Sequence, residues 1–306
     1  MDKIILKKAT KVVKPLKGFL YGPTKSGKTY SSLMIANGFV QCLRNCTQEE
    51  AWQHIIVLDT EQGRAALYAG IGEYNHHDVK PPYTTEKLSN YISQINLMDE
   101  IDVIIIDSLT HFWSKKGGIL EQKTALDAQG GNSYTNWNLF TAKFNGVIDD
   151  ILASPKYVLI TARAKSDTVL VPNDKGKMEP RTYGLKPDIR DGFEYECDFT
   201  FNIDQGTHEI LVEKIIPGME LSYPAATPEL GKLIYQLQMD KAITIERTFE
   251  EIVDSIRKLS AAHKLIQFVQ LQLSGKKLDP EQVTYEFITK LEQSLIAEIR
   301  KQQAKK

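Results

Sequence analysis

Cysteine is scarce in this 306-residue chain. Cys42, Cys46 and Cys197 are the three present, no two of them form a C-x-x-C pair, and so sparse a set excludes a disulfide framework and fits a reducing compartment. Cys42 and Cys46 read as neighbours on one helix face rather than metal ligands, since no second pair accompanies them. Long apolar runs are missing too: nothing approaches the roughly 18 residues of a membrane span. The opening MDKIILKKATKVVK has too short an apolar stretch for a signal peptide. The expectation is a soluble cytoplasmic protein without a membrane partner. Net charge is almost nil, with 38 Lys+Arg against 39 Asp+Glu giving −1. Any nucleic-acid contact therefore has to come from local patches rather than a global field. No internal repeat is visible.

What is present is ordinary for a folded chain: 42% hydrophobic and 25% charged residues, enough for one dominant α/β domain and a smaller appendage. Short apolar runs alternate with helical patterns, the mark of a mostly parallel sheet covered by helices. Strands are expected at Gly18 to Tyr21, His54 to Asp59, Asp102 to Asp107 and Tyr157 to Thr161. Asp198 to Ile203 and His208 to Ile215 read as an antiparallel edge hairpin. Helices are expected at Lys28 to Arg44, Thr85 to Met98 and Asn136 to Ala153, then at Phe249 to Leu259, Ala262 to Leu273 and Gln282 to Arg300. Strands cease near Pro224 to Pro228, which places a core domain at 1–224 and a helical C-terminal region at 225–306. Two long segments, His111 to Thr135 and Arg163 to Tyr195, fit neither pattern and read as loops; loops of that length inside a domain are usually functional or disordered. His76-His77 reads as a surface loop pair.

Gly22-Pro23-Thr24-Lys25-Ser26-Gly27-Lys28-Thr29 satisfies G-x-x-x-x-G-K-[ST] at every fixed position, between a strand and an apolar-striped helix that opens at Tyr30. Glycines let backbone N–H groups close around phosphate oxygens, Lys28 reaches the β/γ-phosphates, and Thr29 supplies a magnesium ligand. Gly22 through Tyr30 are accordingly assigned to nucleotide binding, with Mg-ATP as the ligand. The buried run Val103-Ile104-Ile105-Ile106 ends in Asp107, placed to complete the metal shell opposite Thr29. Leu58-Asp59-Thr60-Glu61-Gln62 puts a second carboxylate just past a strand end. Glu61 there is either a solvated loop residue or the group that orients a water for hydrolysis.

With GPTKSGKT, LDTEQGRAALYA and IIIDSLTHFW in place, the sequence resembles the RecA-like recombinase superfamily, and more closely the phage-encoded RecA-like ATPases that include single-strand annealing proteins. The stretch from Gly184-Leu185-Lys186-Pro187 to Glu194-Tyr195-Glu196 adds to that likeness. The resemblance spans roughly residues 15 to 220 and implies a RecA-like P-loop core, with Glu61 as the catalytic carboxylate. It also implies a γ-phosphate sensor at the end of Val158-Leu159-Ile160-Thr161-Ala162-Arg163, where Arg163 stands in place of the recombinases' glutamine and either senses phosphate or contacts DNA. A late lysine reaching a neighbouring subunit corresponds to Lys214, and a homo-oligomeric ring or filament follows. The family's DNA-binding loops correspond to the two irregular segments, with Lys115, Lys116, Lys165, Lys186 and Arg190 as single-stranded DNA contacts.

The function so implied is a Mg-ATP-hydrolysing RecA-like ATPase acting on single-stranded DNA in phage-type recombination or annealing, in the bacterial host's cytoplasm, alongside a replication or recombination protein. Two other readings stand beside it: a nucleotide-switched loader or scaffold for a replication protein, and a P-loop phosphotransferase on a small acceptor. One core serves many roles.

Overall fold

A computed structural model describes residues 14–130, 132–172 and 178–239, with positions 256, 291, 294 and 295. The chain divides into two compact units, Met1–Arg163 with Asp188–Ile243, and Ala164–Pro187 with Thr244–Lys306.

Strand β1 (Lys17–Gly22), buried at every position, leads through the glycine-rich loop into helix α1 (Lys28–Arg44). A one-turn α2 (Gln48–Ala51), set by a Thr47/Glu50 capping box, precedes β2 (Ile55–Asp59). Then come β3 (Asn75–Asp78), α3 (Thr85–Asn96) and β4 (Val103–Asp107). Helices α4 (Leu109–Ser114), α5 (Ile119–Ala128) and α6 (Ser133–Ala153) carry the chain to β5 (Tyr157–Pro172) and β6 (Met178–Pro187). The described chain ends with β7 (Phe199–Ile203), β8 (Ile210–Lys214), β9 (Ser222–Tyr223) and α7 (Pro228–Met239).

The sheet order is β3-β2-β4-β5-β1-β7-β8-β9. Every pair from β3 to β7 is parallel, and β7-β8 and β8-β9 are antiparallel. This is the expected mostly parallel α/β sheet with an antiparallel hairpin towards one edge. The strand from Tyr157 lies between β1 and β4, with Leu20 opposite Thr161 and Ile105 opposite Leu159. Parallel central strands are covered on both faces, so they read as unbroken apolar runs, and Val103 to Ile106 have no exposed surface.

Helix α1 is buried all round from Ser31 to Val40, which requires cover on the side away from the sheet. That cover is α7. The two helices cross at glycine: a Cβ on Gly38 would lie 2.0 Å from the Pro228 carbonyl oxygen, and one on Gly231 2.3 Å from that of Ile35. Helix α7, at the start of the expected C-terminal region, thus packs within the first unit. The helices expected at 249–259, 262–273 and 282–300 lie outside the described residues, apart from isolated helical positions.

Three local expectations are corrected. The segment 111–135 is helical rather than irregular. Its glycines end helices instead of abolishing them: Gly118 is the N-cap of α5, and Gly117 before it has φ +80°. Helix α4 escaped notice because all of Leu109, Thr110, His111, Phe112 and Trp113 are buried, leaving no amphipathic period. The segment 163–195 is mostly strand, since β5 continues to Pro172 and pairs antiparallel with β6. Pro172 and Pro187 sit at strand ends, where a missing N–H is tolerated. Finally, β3 is a strand where a loop was expected, added parallel to β2 at the sheet edge.

Candidate functional site

The glycine-rich loop closes at the carboxyl end of the sheet, where parallel α/β folds present ligands. Gly27 lies at φ +94°, in the left-handed region that favours glycine, directly ahead of α1. Ser26 is fully buried, and its N–H donates to the Pro23 carbonyl at 3.2 Å. Lys28 Nζ donates to the carbonyls of Gly22 (3.0 Å) and Pro23 (2.7 Å), so its ammonium already spans the loop. Burial lowers the Lys28 pKa, against the opposing charges of Asp107 and Glu61. The β7–β8 turn braces the loop from outside. Gln205 Nε2 donates to the Thr24 carbonyl at 2.8 Å, and His208 Nδ1 lies 2.9 Å from that of Ser26.

Asp107, at the end of β4, is wholly buried. Its Oδ2 accepts from the Thr29 hydroxyl at 2.6 Å and its Oδ1 from the Thr161 hydroxyl at 2.5 Å. Burial pushes its pKa above the usual carboxylate range, and those two hydrogen bonds only partly offset that. A desolvated carboxylate beside a threonine hydroxyl is a hard-oxygen donor set, and it fits a magnesium ion. No ion is needed to bring Thr29 and Asp107 together.

Glu61 sits one residue past Thr60, on the loop leaving β2. Its carboxylate is gripped by Arg163 in a two-pronged pair: Nε donates to Oε1 at 2.9 Å, and Nη2 donates to Oε2. His111 Nε2 lies 3.7 Å from Oε1 and Arg64 Nη1 3.8 Å from Oε2. Burial raises the Glu61 pKa, but Arg163 and His111 outweigh it, and the net shift is downward. Arg163 is raised in turn, chiefly by its hydrogen bonds to Glu61.

Thr60 sets the orientation of His111. Its hydroxyl donates to the Asp107 carbonyl at 3.1 Å and accepts from the Ser108 N–H at 2.8 Å; His111 Nδ1 lies 2.6 Å from it. The ring is thereby anchored through Nδ1, and Nε2 faces Glu61. Burial lowers the His111 pKa. The backbone is pinned as well: Arg163 N–H donates to Thr110 Oγ1 at 2.9 Å.

Lys28, Thr29, Glu61, Asp107 and Arg163 line one cavity of about 320 Å³, together with Thr24, Lys25 and Gly27. Tyr68 and Leu67 close one wall, and the ring of Tyr30 lies 6.2 Å from that of Tyr68. A second cavity, of about 410 Å³, shares Glu61, Arg64 and Arg163 and brings in Lys115 and Lys116. Arg190 is elsewhere: it hydrogen-bonds Asn145 and lines a separate hollow with Asp149 and Asp191. Lys214 Nζ donates to the carbonyls of Tyr195 (2.7 Å) and Cys197, within its own chain. Lys165 and Lys186 belong to the second unit, opposite each other in the β5–β6 ladder.

Sequence reasoning missed Thr60, Arg64, Leu67, Tyr68 and Thr161 as site residues. Thr161 was findable from its place two residues before Arg163, on the strand next to Asp107. Tyr68 carried no signal, because it approaches the loop through a 3-10 turn, Ala65–Ile71, that has no apolar period.

A family model described as an AAA domain matches residues 14–243. No curated protein matches the sequence. Among the described residues, no helix is long and apolar enough to cross a membrane. The match covers well over half of the chain, and the chain belongs to the AAA domain family: it is a P-loop nucleotide-binding ATPase.

Proposed function

We propose that this AAA-family ATPase is a RecA-like enzyme that binds Mg-ATP in the Gly22 to Tyr30 loop and uses its hydrolysis to control a grip on single-stranded DNA. The observation that carries the reading is the Glu61–Arg163 pair at the phosphate end of the sheet, facing Lys28 across one cavity. In this reading the loop N–H groups and Lys28 take the β- and γ-phosphates, and Leu67 and Tyr68 offer a face to the base. Thr29 and Asp107 hold the magnesium ion, which neutralises phosphate charge when bound.

Glu61 orients the attacking water and takes its proton as the water oxygen bonds to the γ-phosphorus and the bond to the β-phosphate bridging oxygen breaks. In the ground state both Glu61 oxygens are occupied by Arg163, so the carboxylate is held away from that task. A γ-phosphate competes for the same guanidinium, and its arrival releases Glu61. Lys115 and Lys116 line the adjoining cavity, and in this reading they pass that change to a nucleic-acid phosphate. With Lys214 bound to its own chain's carbonyls, a trans-acting group in a homo-oligomer comes from another residue.

The test is ATP hydrolysis by purified protein with and without single-stranded DNA, Lys28→Ala serving as control. Stimulation by DNA supports the reading; DNA-indifferent turnover rejects the nucleic-acid half and keeps the ATPase. The cation-lined cavity beside Glu61 also favours a second reading, a phosphotransferase whose small anionic acceptor sits there. That reading expects ATP consumption to rise with the acceptor rather than with DNA. A replication or recombination protein as partner, and a phage setting in a host cytoplasm, belong to the first reading alone.

A further inference from the structure

Strand β3 has no packing reason to exist. Its sequence Asn-His-His-Asp contains no aliphatic side chain, and the one ring contact it makes among the described residues is that of His77 with Tyr91, at 4.8 Å between centroids. Yet it adds in register to β2, pairing Val57 with His76 and Asp59 with Asp78. Side chains alternate along a strand, so His76 and Asp78 share a face. Asp59, beside Asp78 in the ladder, meets them there. His76 Nε2 lies 3.1 Å from Asp78 Oδ1 and 3.7 Å from Asp59 Oδ2, and one ligand atom from each residue falls within 4.8 Å of the others.

The polar accounting leaves a gap at the centre of this cluster. Asp78 Oδ2 is 3.1 Å from Lys80 Nζ, while Asp78 Oδ1, shielded from solvent, has His76 Nε2 at 3.1 Å but accepts no well-aligned hydrogen bond. A shielded carboxylate oxygen that accepts no well-aligned hydrogen bond is under-satisfied, and in folded proteins such an oxygen commonly marks an ion or water. Asp59 is wholly buried. Its Oδ1 accepts from the Glu61 N–H at 2.5 Å and its Oδ2 from the Ala65 N–H at 2.8 Å, which leaves lone pairs on both oxygens.

We propose that Asp59, His76 and Asp78 form a divalent-cation site of their own, distinct from Thr29 and Asp107, and that it takes zinc. Four ligand atoms about 2.1 Å from a tetrahedral ion stand about 3.4 Å apart. The observed 3.1 and 3.7 Å bracket that separation. One imidazole and two carboxylates leave the fourth position to water. The imidazole selects against magnesium, which prefers oxygen alone. The site has a reason to be where it is, since Asp59 holds the N–H groups at both ends of the segment Glu61 to Ala65. A cation on Asp59 therefore clamps the loop that presents Glu61, and the inference stands whether or not that loop acts on DNA-linked hydrolysis.

The test uses the full chain, stripped with chelator and free of nucleotide, titrated with cobalt(II) as a spectroscopic stand-in for zinc. One equivalent of four-coordinate visible absorption is expected, displaced by zinc chloride, with zinc also raising the thermal midpoint. His76→Ala should weaken binding at least tenfold and erase the thermal shift, whereas His77→Ala and Asp107→Asn should keep both. If His76→Ala fails to fold, Asp78→Asn, which preserves shape, is expected to give the same loss. Absence of cobalt absorption in the folded parent, or equal binding by the His76 and Asp78 variants, overturns the proposal and leaves a histidine ion-paired between two aspartates.

Discussion

Replacing Arg163 by alanine separates the two things its guanidinium is proposed to do. In the parent, both Glu61 oxygens are held by Arg163, with the Glu61 side chain 12% exposed and the Arg163 side chain 32% exposed. Breaking a fully buried pair costs about 3–5 kcal/mol. With nearly a third of Arg163 in water, screening cuts this to about 1–2 kcal/mol, a fall of about 2–8 °C in melting temperature for a unit of this size. The pH dependence follows from the direction of the Glu61 shift. Its folded pKa is lowered, so the stabilisation is complete above the unfolded value of about 4.3 and fades as pH falls through the folded value. The melting difference between parent and Arg163→Ala should therefore be full at neutral pH and shrink in acid.

Without Arg163, burial dominates the Glu61 carboxyl and its pKa moves up, so the acid limb of the ATPase profile should shift to higher pH. Turnover should fall by about 10²–10³, the usual loss when one transition-state donor is removed. Arg163→Lys, which keeps the charge and loses the fork, should recover part of it. The assays are steady-state hydrolysis across pH and thermal unfolding at two pH values. Equal rates with superimposable pH profiles would refute the coupling of Arg163 to Glu61.

Three further outcomes are expected. Gly38→Ala forces a methyl to within 2.0 Å of the Pro228 carbonyl; thermal unfolding should show a loss of about 1–3 kcal/mol, with α7 displaced from α1. Tyr68→Ala should weaken nucleotide binding by about 1 kcal/mol, as measured with a fluorescent nucleotide, while steady-state hydrolysis shows a maximal rate nearly unchanged, because Tyr68 lines the cavity without contributing to the Glu61–Arg163 pair. Lys115→Ala with Lys116→Ala should lower the slope of log affinity for single-stranded DNA against log salt by about 1.4, two phosphate contacts' worth; an unchanged slope would remove both lysines from any DNA interface.

The parts of the fold legible in the sequence were those whose physics is local. Val103 to Ile106 announced a doubly covered strand, and the glycine-rich loop announced its own strand and helix. Strand β3 was illegible because Asn75 to Asp78 is held by the β2 ladder and by no apolar side chain of its own. The run to Pro172 was hidden because strand patterning there competes with prolines, of which Pro172 and Pro187 turn out to lie at strand ends and Pro180 within β6. The site was half legible. Lys28, Thr29 and Asp107 follow from motif spacing, but the grip of Arg163 on Glu61, 102 residues apart, needs β5 to lie beside β4 and β4 beside β2. The Thr60–His111 link likewise depends on the backbone of Asp107 and Ser108 passing under the β2 loop, which no spacing rule reports.

The turn between β7 and β8 has a thermodynamic consequence. Asp204 accepts the N–H groups of Gly206 and Thr207, both at 2.8 Å, so the turn is stiff in itself, and through Gln205 and His208 it holds two carbonyls of the glycine-rich loop from a distance of about 180 residues in sequence. The phosphate cradle is thus shaped before any phosphate arrives. Little disorder is left for a nucleotide to remove, so association should proceed close to lock-and-key, with a small entropic penalty. Loosening the turn by Gln205→Ala with His208→Ala would convert the same pocket to one that must be folded around its ligand each time, trading fast capture for a slow ordering step without altering a single group that touches phosphate.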